Sequence, residues 1–270
     1  MLSIGKLGKG QEGYYLSKVA EGEEDYYSGE GEEAGQWLGD AAAELGLSGA
    51  VEADQLVAML TGINPATGEP LGLRAGPSVP GFDLTFSAPK SVSLTWALGD
   101  PKTAAEVKAA HLRSVEAALD YMQANACLTR RGDGGGGIEF VKGSGYLAAG
   151  YVHRSSRNGD PQLHTHVLVA NATQGPDGKW TRLYHPAIFD HATTASYIYE
   201  ANLRHELTPS PRDRMAAGPQ GHRGDQGLRG SLAEGVLNSP RGNTRGGRGG
   251  CLRPCPPGCD ARHAQGKGGA

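Results

Sequence analysis

Every aromatic side chain of this chain lies before Leu207; the last is Tyr199, and no Phe, Tyr, Trp or Ile occurs from Thr208 to Ala270. A segment so poor in core-forming residues cannot bury enough apolar surface to offset the entropy of ordering its backbone. Residues 1–207 must therefore build the fold as one domain, and the Gly-, Arg- and Pro-rich residues 208–270 are expected to form a disordered tail. Charge divides at the same point, with 16 Lys and Arg against 25 Asp and Glu in the body and 10 against 4 in the tail. An acidic body argues against broad neutralisation of phosphates, which needs Lys and Arg, so any nucleic-acid contact must be local. Cys127 is the one cysteine of the body, which excludes a disulfide framework and fits a reducing cytoplasm. No apolar run reaches the roughly 18–20 residues of a membrane span, and the N-terminus lacks the apolar stretch of a signal peptide. The chain reads as cytoplasmic, without membrane insertion.

Two tyrosine pairs, Tyr14-Tyr15 and Tyr26-Tyr27, flank an acidic run near the N-terminus, with a short helix expected from Tyr14 to Ala20. Short helices are expected over Trp37–Leu45 and Asp54–Leu60, and a loop over Gly62–Pro80. In Gly81–Phe86, Phe82, Leu84 and Phe86 alternate with Asp83 and Thr85, so a strand places the two polar residues together on its other face. Val92, Leu94, Trp96 and Leu98 also alternate, yet Pro89 suits a helix start, which favours a helix. Asp100-Pro101 opens a longer helix whose stripe is Val107, His111, Val115, Leu119 and Met122, ending before the Gly134–Gly137 run. Ile138–Val141, Tyr146–His153 and Leu163–Asn171 read as strands and Ile188–Glu206 as a helix. Such a mixture without regular βαβ alternation indicates an α+β fold with an antiparallel sheet.

Asn158-Gly159 between two of these strands is a strong hairpin signal. A two-residue turn there makes Arg157 face Asp160 and, counted outward, sets His153 opposite His164 and Tyr151 opposite His166. Residues two apart share a face. His153, His164 and His166 then converge, which is ligand geometry for a divalent metal with positions left open for substrate oxygen. Pro161 cannot donate to the ladder, and a longer loop preserves the convergence only if parity is kept. Histidines of a plain strand are the competing reading; the third imidazole weighs against it. His111, His185, His191 and His205 lack such a pattern and read as ordinary core or surface residues.

A metal centre with open positions needs a reaction, and the tyrosine pairs offer a nucleophile. A phenolate that attacks phosphorus stores the phosphodiester energy in a covalent phosphotyrosine, while a metal offsets the charge that grows on the phosphate oxygens. Because the phenol has an ordinary pKa of about 10, its proton needs help to leave. Asp83 is a candidate acceptor, or a group that orients a ligand histidine. Packing at a wet surface is the competing reading for the tyrosines, and a solvated or capping role for Asp83.

The blocks Asp83-Leu84-Thr85-Phe86-Ser87-Ala88-Pro89-Lys90-Ser91-Val92-Ser93 and Asp160-Pro161-Gln162-Leu163-His164-Thr165-His166, with the doubled tyrosines and Glu44-Leu45-Gly46-Leu47-Ser48-Gly49, resemble conjugative relaxases of the TrwC/TraI (MobF) type within the HUH endonucleases. The resemblance covers about residues 1–207. It implies a palm-like antiparallel sheet flanked by helices, and a nickase that cuts one strand of single-stranded DNA at an origin of transfer and stays joined to its 5′ phosphate during conjugative plasmid transfer. Carried over by motif, His153, His164 and His166 bind a divalent metal (Mg, Mn or Zn), Asp83 assists, Tyr14 is the first nucleophile and Tyr26 a candidate for the second transfer, with Tyr15 and Tyr27 as substitutes. A monomer that meets relaxosome and coupling proteins is implied as well. The resemblance stops after His205-Glu206-Leu207, and no G-x-x-x-x-G-K-[ST] phosphate loop occurs, so the domain is expected to be incomplete on that side and the tail to be a frame-shifted reading. Cys251, Cys255 and Cys259 match no common zinc-finger spacing. An inactive remnant that binds DNA or metal, a rolling-circle replication initiator and a metal hydrolase are the alternatives.

Overall fold

A computed structural model of the chain describes residues 1–8, 34–73, 79–132, 137–156 and 158–208. The four paired tyrosines, the helix expected at Tyr14–Ala20 and the tail beyond Thr208 lie outside the described residues. At the centre is a five-stranded antiparallel sheet of β1 (Leu2–Lys6), β2 (Gln36–Leu38), β3 (Gly81–Ser87), β6 (Ala148–Ser155) and β7 (Pro161–Ala170), in the order β1-β3-β7-β6-β2. The central strand, β7, carries two of the three candidate ligands.

Alternation along the strands gives the sheet two different faces. Phe82, Leu84 and Phe86 of β3 and Val167 and Val169 of β7 turn towards α4 (Pro101–Ala126) and α5 (His185–Leu207), where they join Val115, Leu119, Met122, Ile188 and Tyr199 in the larger core. Burying each such apolar side chain contributes roughly 1.5–3 kcal/mol. On the opposite face the described residues pack over one end. There Leu147, Ala149, Tyr151, Leu168 and Ala170 pack against α1 (Asp40–Glu44) and α2 (Ala53–Thr61) through Ala41, Ala42, Leu56, Met59 and Leu60. The other end of that face holds Asp83, Thr85 and the histidines.

The long α4 begins as its sequence demands: Asp100 accepts from the Lys102 and Thr103 amides at 3.0 and 3.1 Å, with Pro101 in the first turn. The segment after Pro89 is helical, α3 (Lys90–Leu98). Its alternating apolar residues are not a strand face, since Val92 is buried whereas Leu94 and Leu98 are exposed.

Two expectations are corrected. Trp37 belongs to β2 and not to a helix: it pairs with Ala149, and Gly39, at φ 88°, turns the chain before α1 starts. A strand that the sequence hides, β4 (Leu128–Gly132), follows α4, and it pairs with β5 (Ile138–Lys142) in a separate two-stranded ribbon, so β5 is not part of the main sheet. A further short pair, β8 (Thr173–Gln174) and β9 (Trp180–Thr181), follows β7. Among the described residues, no helix is long and apolar enough to cross a membrane.

Candidate metal centre

The β6–β7 hairpin sets the site, and it does so through two deviations that cancel. Ser156 donates its amide to Asp160 at 2.8 Å, Gly159 donates to Ser156 at 2.8 Å, and Gly159 has φ 76°. This is a three-residue link, not the two-residue turn expected from Asn158-Gly159. Ser155 consequently pairs with Pro161, one step out of the register the sequence predicts. Between there and His153 the ladder shifts back, with Gln162 and Leu163 opposing Arg154 alone, which is a β-bulge. Beyond it His153 faces His164 and Tyr151 faces His166, the expected pairs.

The three imidazoles converge. Ring centroids are 5.2 Å apart for His153–His164, 4.9 Å for His153–His166 and 5.1 Å for His164–His166. One nitrogen from each lies within 4.8 Å of the others. His153 is buried, and His164 and His166 keep a minor part of their surface exposed.

Hydrogen bonds select the nitrogens that face inward. The Nδ1 of His166 donates to the Asp83 carboxylate, 2.8 Å from Oδ2 and 3.0 Å from Oδ1. Thr85 donates its hydroxyl to the same carboxylate at 3.1 Å. In His164 it is again Nδ1 that donates, to the Gln162 carbonyl at 2.9 Å. Both rings therefore present Nε2 as a lone pair, the arrangement that outer partners impose on metal-ligating histidines. Burial lowers the His164 pKa to about 4, and the neighbouring His166 and His153 add to the effect against the hydrogen bond to Gln162. The ring is thus neutral near pH 7, as a ligand must be. Three imidazoles with a carboxylate behind one of them suit a divalent first-row ion better than Ca(II), which takes oxygen ligands.

Asp83 contacts a candidate ligand, accepting a hydrogen bond from His166 Nδ1. Thr85 and the Gln162 carbonyl were missed; the first shares the polar face of β3 with Asp83 and was legible there, while a backbone carbonyl leaves no mark in sequence. Tyr151 sits on the same face beside His166, but its phenol is buried and its pKa pushed up by that burial, which makes it a poor nucleophile. His111, read as ordinary, is fully buried on the opposite face, hydrogen-bonded to Tyr199 and to Thr165 at 2.8 Å each. Burial lowers its pKa to about 3, so it is a neutral structural bridge from α4 to the strand residue between the two candidate ligands of β7.

The sequence matches the TrwC relaxase family over residues 8–225. The multifunctional conjugation protein TraI of Escherichia coli is 32% identical over 219 residues, which are 77% of this chain and 12% of that protein. The chain thus spans about an eighth of the length of this curated relative. Among solved structures, TrwC complexed with a 27-mer DNA comprising the recognition hairpin and the cleavage site is 32% identical with a TM-score of 0.64, covering 83% of this chain and 73% of that one. The copper-bound structure of the conjugative relaxase TrwC in complex with oriT DNA is 36% identical with a TM-score of 0.65, covering 77% and 70%.

Proposed function

The chain belongs to the TrwC relaxase family, and on that premise we propose that it is a DNA relaxase that nicks one strand at an origin of transfer, dependent on a divalent metal and acting through a 5′-phosphotyrosine. The observation that carries the proposal is the convergence of His153, His164 and His166 within 4.8 Å, with Asp83 on the outer nitrogen of His166. A divalent ion bound there would polarise the scissile phosphate and stabilise the charge of the transition state.

The chain's own groups supply the rest. Tyr14 gives up its phenolic proton to solvent and attacks phosphorus through the phenolate oxygen, the bond from phosphorus to the 3′ oxygen breaks, and the leaving 3′ oxygen takes up a proton from water. The phosphodiester is thereby exchanged for a phosphotyrosine of comparable energy, which a later 3′-hydroxyl reverses. Tyr26 serves the second transfer. Asp83 keeps His166 in the tautomer that directs Nε2 inward, and Thr85 holds the carboxylate in place. Single-stranded DNA is the partner, consistent with the DNA complexes of the TrwC structures, and residues 1–207 are the catalytic domain.

The test incubates purified chain, Mn(II) or Mg(II), and a labelled single-stranded origin oligonucleotide, and resolves products on a denaturing gel. A covalent protein–DNA adduct is expected, abolished by Tyr14→Phe and by chelator. A gel shift without cleavage at any metal concentration would leave a DNA-binding remnant; an adduct that survives Tyr14→Phe would move the nucleophile elsewhere.

A further inference from the structure

The convergence of the histidines depends on the bulge. Were the Ser155–Pro161 register to run on unchanged, His153 would face Leu163 and turn away from His164 and His166, which the pairing with β3 holds on the face of Asp83 and Thr85, because a one-residue slip flips every side chain. What holds the extra residue in place is therefore what holds the site together.

The answer is α3 and its entry. Three consecutive residues of the bulged stretch are tied to it. The Pro161 carbonyl accepts from Lys90 Nζ at 3.0 Å, the Gln162 side-chain amide donates to the Ala88 carbonyl at 2.9 Å, and the Leu163 amide donates to Ser93 Oγ at 3.1 Å. Ala88 in turn donates its amide to the Leu163 carbonyl at 3.0 Å. In an uninterrupted antiparallel ladder Ala88 and Leu163 would exchange both bonds. Here β3 has given way to a helix at Pro89, so the second bond is replaced by two side chains: Ser93 takes the Leu163 amide and Gln162 takes the Ala88 carbonyl. Ser93 is completely buried, as is Leu163, and the Ser93 amide is fixed in the first helical turn by the Pro89 carbonyl at 3.0 Å. A buried amide without a partner is costly, so the hydroxyl at position 93 favours the bulged path over its alternatives.

We propose that Ser93 is a positioning residue of the metal centre: its buried hydroxyl, with the side chain of Gln162, locks the β7 bulge that brings His153 to the face of His164 and His166. The proposal rests on the metal reading for its consequence, and on the hydrogen bonds for its cause. This gives a role to the Ser87–Ser93 block, which the site chemistry leaves without one.

The experiment compares wild type, Ser93→Ala, Ser93→Thr and Gln162→Ala by Co(II) titration followed in the visible spectrum, by denaturant unfolding of the metal-free protein, and by amide hydrogen exchange. Ser93→Ala is expected to weaken Co(II) binding about 10- to 100-fold, the usual range for a residue that orients ligands, under conditions in which it is fully folded. Ser93→Thr, which keeps the acceptor, should restore binding to within about threefold. In Ser93→Ala the Leu163 amide should exchange faster while those of Val167 and Leu168 stay protected. If Ser93→Ala does not fold, Gln162→Ala carries the comparison, with a loss of affinity in the same direction. Unchanged Co(II) affinity in a folded Ser93→Ala, or an unchanged Leu163 amide, overturns the proposal. Wild type that binds no Co(II) instead overturns the metal reading, and the exchange of Leu163 then decides the lock by itself.

Discussion

Replacing Asp83 by Asn changes one charge at nearly constant shape. In the native site the carboxylate accepts from His166 Nδ1 at 2.8 and 3.0 Å and from Thr85 at 3.1 Å, and both ring and carboxylate are more than four-fifths buried. A hydrogen bond to a charged group contributes about 1.5–3 kcal/mol and a neutral one about 0.5–1.5. The difference is roughly 1–1.5 kcal/mol, which corresponds to about a tenfold change in an equilibrium constant. Asn also loses an acceptor and gains a donor that must avoid Nδ1–H, so His166 is held less firmly with Nε2 inward. Asp83→Asn should therefore weaken divalent metal binding about tenfold, and Asp83→Ala about 10- to 100-fold, by calorimetric titration at neutral pH. Thermal unfolding of the metal-free proteins should change much less than the affinity does. Wild-type affinity in Asp83→Asn would show that the carboxylate does not tune the ligand, and would refute the reasoning.

Other expectations follow from the same geometry. His111→Leu removes both partners of the buried Thr165 and Tyr199 hydroxyls and should cost about 2–5 kcal/mol of unfolding free energy in urea, with a wild-type value refuting a structural bridge. The metal-free protein should lose stability on acidification, because the folded pKa of His164, about 4, lies below its unfolded value of 6.5. The unfolded chain binds the extra proton, so this contribution is intact above about pH 6.5 and is lost as pH falls towards 4. Denaturation midpoints across that window should show the decline, and His164→Gln should make it shallower. Single replacement of His153, His164 or His166 by Ala should lower metal affinity by at least about a hundredfold, whereas His191→Ala, a half-buried residue bonded to Tyr121 on the helical layer, should leave it unchanged.

Much of this site is written in local sequence, and the remainder is instructive. The pairs His153–His164 and Tyr151–His166 follow from counting outward from Asn158-Gly159, but the counting assumed a turn the hairpin does not use. Its three-residue link moves the register by one and the bulge at Gln162-Leu163 moves it back, so the parity that matters survives for a reason invisible in the turn residues. The bulge depends on Ser93, 70 positions away, and no window of local pattern reports such a partner. Alternation at Phe82–Phe86 revealed the face on which Asp83 and Thr85 lie, since packing there follows period two. Trp37 misled because the decisive contact is a neighbour strand, reached through the left-handed Gly39, and β4 escaped because Thr129, Arg130 and Arg131 carry no apolar alternation. Asp83 and the three histidines were legible as a cluster, and the structure brings the four together. The paired tyrosines lie outside the described residues, and in sequence a phenol at a surface and a phenol at a phosphate look alike.

The most direct test of the central claim is X-ray absorption spectroscopy at the metal edge of wild-type protein loaded with one equivalent of Co(II). The account expects a single site per chain whose first shell includes three imidazole nitrogens, each at about 2.0–2.1 Å, falling to two in His153→Ala. A first shell of oxygen alone, or three imidazoles retained without His153, would contradict it.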